Sequence, residues 1–370
     1  MLERNSTEIR PENDFTHVSP ISHDEESGEL RDELPPDVVC TKNGREFIIE
    51  KKIGQGGMGI TYLANEPLNY LASDGTKRTV DYRPVVIKII RPEYSKETLI
   101  QQRFKLEKEA LIKASENPYV VNLLDVGQLE SGEEAIVMEY LPDGDLDSFL
   151  KKNQLHLNMS ESYIADIAKQ ICYALSTIHD KGFIHRDLKP DNVLVSGGSK
   201  TSPPHIKITD FGVAGILLAD TRNKKKISSP TFIPRKTSNF LLGTPGFMAP
   251  ELLDFKPIDH RVDLYSLGVL LYEMTTGHLP YDKYGTQKEA MAATVDMKKP
   301  PEAIETVLGQ SKPTKLQQII MHLLRKNPDR RSTYLVFRPE NGERQDKILP
   351  MYTALDVAKA IEYAVSSSTP

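Results

Sequence analysis

A change of hydrophobic period partway along this chain of 370 residues limits what it can fold into. Up to about residue 142 the apolar residues come in short β-branched runs. Arg45 to Lys52, Ile60 to Ala64, Val85 to Ile90, Val120 to Val126 and Ala135 to Tyr140 each read as extended segments. One helical stripe interrupts them between Glu97 and Ala114, with Leu99, Phe104, Leu106, Leu111 and Ile112 on or near one face. From Leu146 the spacing is helical. Ser160 to His179 is a long periodic segment with Ser160 as its N-cap, and Leu316 to Arg325 is another helix. Val262 to Thr276 is apolar nearly all round, which marks a helix enclosed by others. Thr353, with Asp356 three residues on, opens a capping box for Ala354 to Val365. A strand-rich part, 43–142, thus precedes a helix-rich part, 143–366, and no internal repeat is visible. Residues 67–84 carry turn formers and no sustained period, so they read as a long loop between strands.

Charged residues make up 27 % of the chain and hydrophobic ones 39 %, which excludes disorder throughout. The richest apolar run, Leu264 to Tyr272, is too short to span a bilayer, and the N-terminus shows no signal segment. Cys40 and Cys172 are too few for a disulfide framework, and no CxxC or Cys/His cluster offers a zinc site. The expectation is a soluble, cytoplasmic protein of a reducing compartment, without a membrane anchor. Residues 1–37 hold eleven acids against three arginines, so this stretch carries −8 and the remainder +3 of the net −5. Such a stretch, ending in Pro35-Pro36, cannot bury enough surface to order itself, and residues 1–42 read as an acidic disordered tail. It reads either as a solvated extension or as a docking or autoinhibitory segment. The rest is too nearly neutral to suggest nucleic-acid binding.

Ile53-Gly54-Gln55-Gly56-Gly57-Met58-Gly59 matches GxGxxG. In a dinucleotide fold the same spacing leads into a helix. Here Ile60, Thr61 and Tyr62 continue as a strand and Pro67 soon follows, so a strand–turn–strand flap is expected. Its glycines let backbone N–H groups approach phosphate oxygens without Cβ obstruction. Val85-Val86-Ile87-Lys88 follows, and a lysine inside an apolar strand is costly to bury unless it meets an anion. Glu107, beside the apolar stripe of the 97–114 helix, is the expected partner, with Glu109 the second choice.

His185-Arg186-Asp187-Leu188-Lys189-Pro190-Asp191-Asn192 packs polar residues between apolar runs, and Asp210-Phe211-Gly212 follows Ile206 to Thr209. Carboxylates at hairpin ends suit Mg²⁺, which takes one or two protein oxygens and shares phosphates. HRDLKPDN, DFG, the glycine flap, VVIK and Ala249-Pro250-Glu251 stand in the order of the protein kinases. The chain resembles a eukaryotic-like (Hanks-type) Ser/Thr protein kinase over about 48–365, and GQGGMG looks closest to bacterial members.

The resemblance implies an α+β, bilobal fold: a small antiparallel sheet with one helix, hinged to a larger helical lobe. It implies transfer of the γ-phosphoryl group of ATP, with Mg²⁺, to Ser or Thr hydroxyls of a protein substrate. Asp187 takes the role of the residue accepting the hydroxyl proton. Asn192 and Asp210 become the Mg²⁺ ligands. Lys88, oriented by Glu107, holds the α- and β-phosphates under the Gly54, Gly56, Gly57 and Gly59 loop, and Lys189 neutralises the moving phosphoryl group. Adenine sits against Ile53, Val86, Met138 and Leu194, with Glu139 to Leu141 as the hinge and Asp145 as the ribose contact. Asp263 braces the catalytic loop, and Glu251 pairs with Arg331. Thr61 stands where the family usually has Val above the adenine, and Tyr265 replaces a common Trp after Asp263. The stretch 333–352 is longer than the family needs and reads as a tolerated solvent loop or a partner surface.

The segment 210–251 is basic and rich in hydroxyls, so self-phosphorylation there is expected, first at Thr237 and Ser238, with Thr221, Ser228, Ser229 and Thr231 as further acceptors. Two rival readings are a pseudokinase scaffold and a kinase-like enzyme for small molecules. The first calls for a lesion at Lys88, Asp187 or Asp210, and none is lesioned. The second calls for loss of the APE segment, which is present.

Overall fold

A computed structural model describes residues 38–41, 44–56, 59–94, 97–129, 132–155, 159–211, 215–216, 244–338 and 346–367. Six antiparallel strands form the first lobe: β1 (Val38–Thr41), β2 (Glu46–Gln55), β3 (Gly59–Leu71), β4 (Lys77–Ile90), β5 (Leu123–Gln128) and β6 (Glu134–Glu139). They run in the order β1-β2-β3-β4-β6-β5, and β1 also pairs with β5, which closes the sheet. Helix α1 (Thr98–Ala114) lies between β4 and β5.

Alternation along a strand sends successive side chains to opposite faces. Val85, Ile87 and Ile89 accordingly join Phe47, Tyr62, Ala64 and Val137 in the barrel interior. Val86 and Lys88 point the other way, and Val86 packs on the larger core that also holds Phe104 and Leu111 of α1. A one-residue slip of β4 would bury the lysine among aliphatic groups, so the hydrophobic pattern itself aims Lys88.

Three expectations need correction. Residues 67–84 are not a loop: β3 and β4 stay paired out to Leu71↔Lys77, with a bulge at Leu68/Asn69. Polar cross-strand contacts hold this ribbon. Thr79 Oγ1 donates to Asn69 Oδ1 at 2.7 Å, and Glu66 binds both Arg45 and Arg83. At its tip Gly75 takes a positive φ of 78°, and Asp74 accepts from the Thr76 N–H at 2.9 Å. Neither face of the outer ribbon is covered, so no apolar period marks it. Residues 38–41, expected in the tail, form β1; Val38, Val39 and Cys40 pair with β2, and Cys40 and Thr41 with β5. Residues 1–37 and 42 of the expected tail lie outside the described residues. Finally, the 333–352 stretch holds a hairpin, β11 (Tyr334–Phe337) paired antiparallel with β12 (Lys347–Pro350). Leu335 and Phe337 are buried beneath it, while Tyr334, Val336 and Ile348 face outward.

The second lobe is built from α2 (Leu146–Lys152), α3 (Glu161–Asp180), the short strands β7 (Phe183–Ile184), β8 (Val193–Ser196), β9 (His205–Ile208) and β10 (Gly215–Ile216), then α4 (Pro250–Leu253), α5 (Arg261–Thr276), α6 (Gln287–Val295), α7 (Ile304–Val307), α8 (Lys315–Leu323), α9 (Pro328–Arg331) and α10 (Ala354–Ser366). Ser160 caps α3 by accepting from the Tyr163 N–H, and Thr353 with Asp356 forms the capping box of α10. Helix α5 is enclosed, as its all-round apolar sequence predicts. At Gly268 a Cβ would stand 2.8 Å from Leu323 Cβ, so only glycine permits the close crossing of α5 and α8. The architecture is α+β with a sheet lobe and a helical lobe. Among the described residues no helix is long and apolar enough to cross a membrane.

The fully buried Arg331 guanidinium fixes the far side of α5. It grips Glu251 with two hydrogen bonds, 2.7 and 3.2 Å, and donates to the carbonyls of Arg261 and Arg325. Its Cζ lies 4.9 Å from the centre of the Tyr265 ring, so the tyrosine at this position supplies the aromatic face. Removing one partner strands the other's charge in the core, which costs about 3–5 kcal/mol. Arg331→Met should lower unfolding stability by that amount in urea titrations. A loss below about 1 kcal/mol would mean that the pair is solvated like a surface one.

Candidate active site

Lys88 lies where the two lobes meet. Its Nζ donates to Glu107 Oε1 at 2.5 Å and to Asp210 Oδ1 at 2.8 Å. Glu107 is buried on the inner face of α1, whereas Glu109, the second choice from sequence, is half-buried and outside this contact. Burial alone would pull the Lys88 ammonium down, but the charges of Asp210 and Glu107 outweigh it and hold the group above its usual range. Lys88 is therefore a fixed cation.

The flap that covers it is the β2–β3 turn. Gly54 pairs with Thr61 and Gln55 with Ile60, and the Gly56 N–H donates to the Gly59 carbonyl at 2.9 Å. A Cβ at Gly59 would meet the Ile89 carbonyl at 2.9 Å and Lys88 Cε at 3.2 Å, so the strand can cross the lysine only as glycine. Gly57 lies outside the described residues. Ile53 is exposed on β2, and Val86 pairs with Met138 between β4 and β6.

After Met138, Glu139 leads out of β6 towards the second lobe. Its carboxylate Oε1 accepts from the Asn122 N–H and from Lys207 Nζ, both at 2.6 Å. Lys207, on β9, thus ties the connection to the second lobe; nothing in the sequence around residue 207 signals this. Leu141 is buried. Asp145 caps α2, with Oδ1 accepting from the Ser148 N–H at 2.8 Å, and forms an isolated bridge with Leu194. The expected ribose and adenine contacts are thereby adjacent, although the Asp145 carboxylate is already engaged as a helix cap.

Asp187 sits in the turn between β7 and β8. Its Oδ1 accepts from the Thr244 N–H at 2.9 Å and its Oδ2 from Asn192 Nδ2 at 3.1 Å. Asn192 Nδ2 also donates to the Asp187 carbonyl at 2.7 Å, which commits the amide nitrogen and leaves Oδ1 as the acceptor side. Lys189 stands between them, immediately ahead of the 3₁₀ turn Pro190–Asn192. Two residues of the site hold left-handed backbones, Arg186 at φ 69° and Asp210 at φ 62°. Non-glycine residues stay there only where surrounding bonds hold them.

For Arg186 that bond comes from Asp263, fully buried at the start of α5. It accepts from the backbone N–H groups of His185 (2.9 Å) and Arg186 (2.8 Å) and from His179 Nε2 (2.8 Å). His185 Nε2 in turn donates to the Thr209 carbonyl at 2.9 Å, one residue before Asp210, and its ring centre lies 5.0 Å from that of Phe211. The bracing role expected of Asp263 has this geometry. The His179 contact has no signal in the sequence.

A carboxylate and an amide oxygen, on Asp210 and Asn192, are the hard donors that Mg²⁺ prefers, and the cationic Lys88 beside them suits the phosphates such an ion bridges. The residues present fit that group. Gly212 and the candidate acceptors Thr221, Ser228, Ser229, Thr231, Thr237 and Ser238 lie outside the described residues.

Comparison with known proteins agrees with this arrangement. The family model described as the protein kinase domain matches residues 47–338. A "probable serine/threonine-protein kinase" of Clostridium acetobutylicum is 31 % identical over 80 % of this chain and 39 % of its own length. The serine/threonine-protein kinase pkn3 of Myxococcus xanthus is 31 % identical over 80 % of this chain and 49 % of its own. PkaA of Streptomyces coelicolor, also named a serine/threonine-protein kinase, is 32 % identical over 78 % and 48 %. The chain thus spans less than half the length of these relatives. Members of the family use ATP and Mg²⁺ in general and phosphorylate protein hydroxyls. With the domain matched across most of its length and the motif residues gathered at one cleft, the chain belongs to the protein kinase family.

Proposed function

We propose that this chain is a Ser/Thr protein kinase that moves the γ-phosphoryl group of Mg-ATP to a Ser or Thr hydroxyl of a protein. Its working parts are a nucleotide lobe, 38–142, and a substrate lobe, 143–366. The observation that carries this reading is the single contact of Lys88 with both Glu107 and Asp210, which joins the lobes at the cleft.

The backbone of the β2–β3 flap and Lys88 hold the phosphates, and Ile53, Val86, Met138 and Leu194 enclose the adenine, with Thr61 above it and Glu139 to Leu141 behind. Asn192 and Asp210 would hold Mg²⁺, which neutralises phosphate charge when bound. Asp187, held by Thr244 and Asn192, accepts the proton of the attacking hydroxyl, and Lys189 offsets the charge on the transferring group. Self-phosphorylation within 210–251 belongs to the same reading. Incubation with Mg-ATP followed by phosphosite mapping tests it: phosphate on Ser or Thr of the chain or of an added protein supports the activity, and none on either refutes it.

Three substitutions separate the roles. Asp187→Ala should lower phosphotransfer about a thousandfold while nucleotide affinity, read by fluorescence titration, stays within about threefold. Equal losses in both would contradict the division. Glu107→Gln should reduce turnover about tenfold or more by weakening the charged hold on Lys88, whereas Glu109→Gln should leave it within about twofold. A larger effect at Glu109 would show that the working enzyme uses another helix register.

A further inference from the structure

Large apolar side chains stand exposed on both the β3–β4 ribbon and the β11–β12 hairpin, but they are arranged differently. On the ribbon the cross-strand mate of Leu71 is Lys77 and that of Leu68 is Asp81, so charge interrupts any apolar face. On the hairpin Val336 lies opposite Ile348, and Tyr334 opposite Pro350. The Tyr334 ring meets Tyr352 edge to face, 5.4 Å between centres, and Leu355 follows in the first turn of α10. Ile348 and Tyr334 are 56 % and 55 % exposed, while Phe337 on the reverse of the hairpin is 3 % exposed. A contiguous apolar face in water marks a contact surface, whereas apolar residues scattered among charges need no partner.

The charges at one end of this face say what fits it. Alternation carries the outward row one step further, to Arg338 on one strand and Asp346 on the other, both exposed. Lys347 is not part of the row: it pairs with Phe337, and its Nζ lies 5.5 Å from the centre of the Tyr363 ring on α10. Each strand thus presents two apolar residues and then a charge, with opposite signs on the two strands. A second copy can be laid face to face about a two-fold axis running along the hairpin. Each β11 residue then meets the β12 residue at its own level: Tyr334 on Pro350, Val336 on Ile348 and Arg338 on Asp346, each contact made twice. An axis across the strands would instead set Tyr334 on Arg338 and Pro350 on Asp346.

We propose that the outward face of the β11–β12 hairpin joins two copies of this chain about a two-fold axis along the hairpin. The face is small against the roughly 20–30 residues a side of a standard interface, so the association is weak, in the micromolar range.

Sedimentation velocity of the full chain across the micromolar range tests this, and it needs no turnover, so the outcome is independent of the kinase reading. The mean mass should climb from the monomer towards twice that value. Ile348→Glu should raise the dissociation constant about tenfold or more, while Leu71→Glu on the ribbon should leave it within about twofold. Arg338→Asp sets carboxylates against each other, and Asp346→Arg sets guanidinium groups against each other. Each alone should weaken association about threefold to tenfold. Mixed together, these two variants should associate as the unmodified chain does, because opposite signs then meet at both contacts. They leave the apolar face intact and decide the matter if Ile348→Glu does not fold. Monomer at every concentration would overturn the proposal, whether another protein or other residues of this chain cover the face. So would an unchanged curve for Ile348→Glu, a loss at Leu71→Glu alone, or a mixture no stronger than its single components.

Discussion

A carboxylate sealed from water has to find its donors inside the protein, and the second lobe is arranged around the donors of Asp263. Helix α5 can run through the centre because its side chains are apolar on every face, and that same enclosure makes its one buried acid demanding. The demand is met by two amides of the catalytic turn and by His179 of α3. The turn between β7 and β8 is thereby fixed to the enclosed helix α5. Its strained Arg186 backbone is a consequence of that attachment, and the aim of Asp187 depends on it.

The contact at Lys88 works differently. It joins groups from β4, α1 and the end of β9, elements that belong to different lobes. Asp263 builds a rigid floor; Lys88 closes a cleft over it. Asp210 binds the lysine, and the residue before it, Thr209, accepts from His185 through its carbonyl. Any relative movement of the lobes has to act on the Lys88 contacts, because the donors of Asp263 all lie in one lobe.

The two added ribbons extend this plan at its edges. The β3–β4 ribbon projects past the strands it would need for a covered face and is held by Glu66, Arg45 and Arg83 at its root. The β11–β12 hairpin buries Leu335 and Phe337, and the chain leaving it meets His260. One is an outgrowth of the sheet. The other is packed into the core and reaches towards the catalytic turn.

Local sequence determined the parts whose physics is local. Period 2 along Val85 to Ile89 aims Lys88 away from the barrel interior, the Ser160 and Thr353 caps start their helices, and the glycines around Gln55 require a turn where a backbone must pass close to another group. The motif residues Asp187, Asn192 and Asp210 were singled out differently, by the resemblance of HRDLKPDN and DFG to the protein kinase motifs. Tertiary structure decided what depends on partners distant in the chain. The choice of Glu107 over Glu109 required the packing angle of α1, and the Lys207–Glu139 tie and the His179–Asp263 bond join residues 68 and 84 positions apart. The ribbon at 67–84 was hidden because hydrogen-bonded strands with both faces in water need no hydrophobic alternation. A pattern records which side of an element is buried, and it is silent where nothing is buried or where a single polar contact is made across the fold.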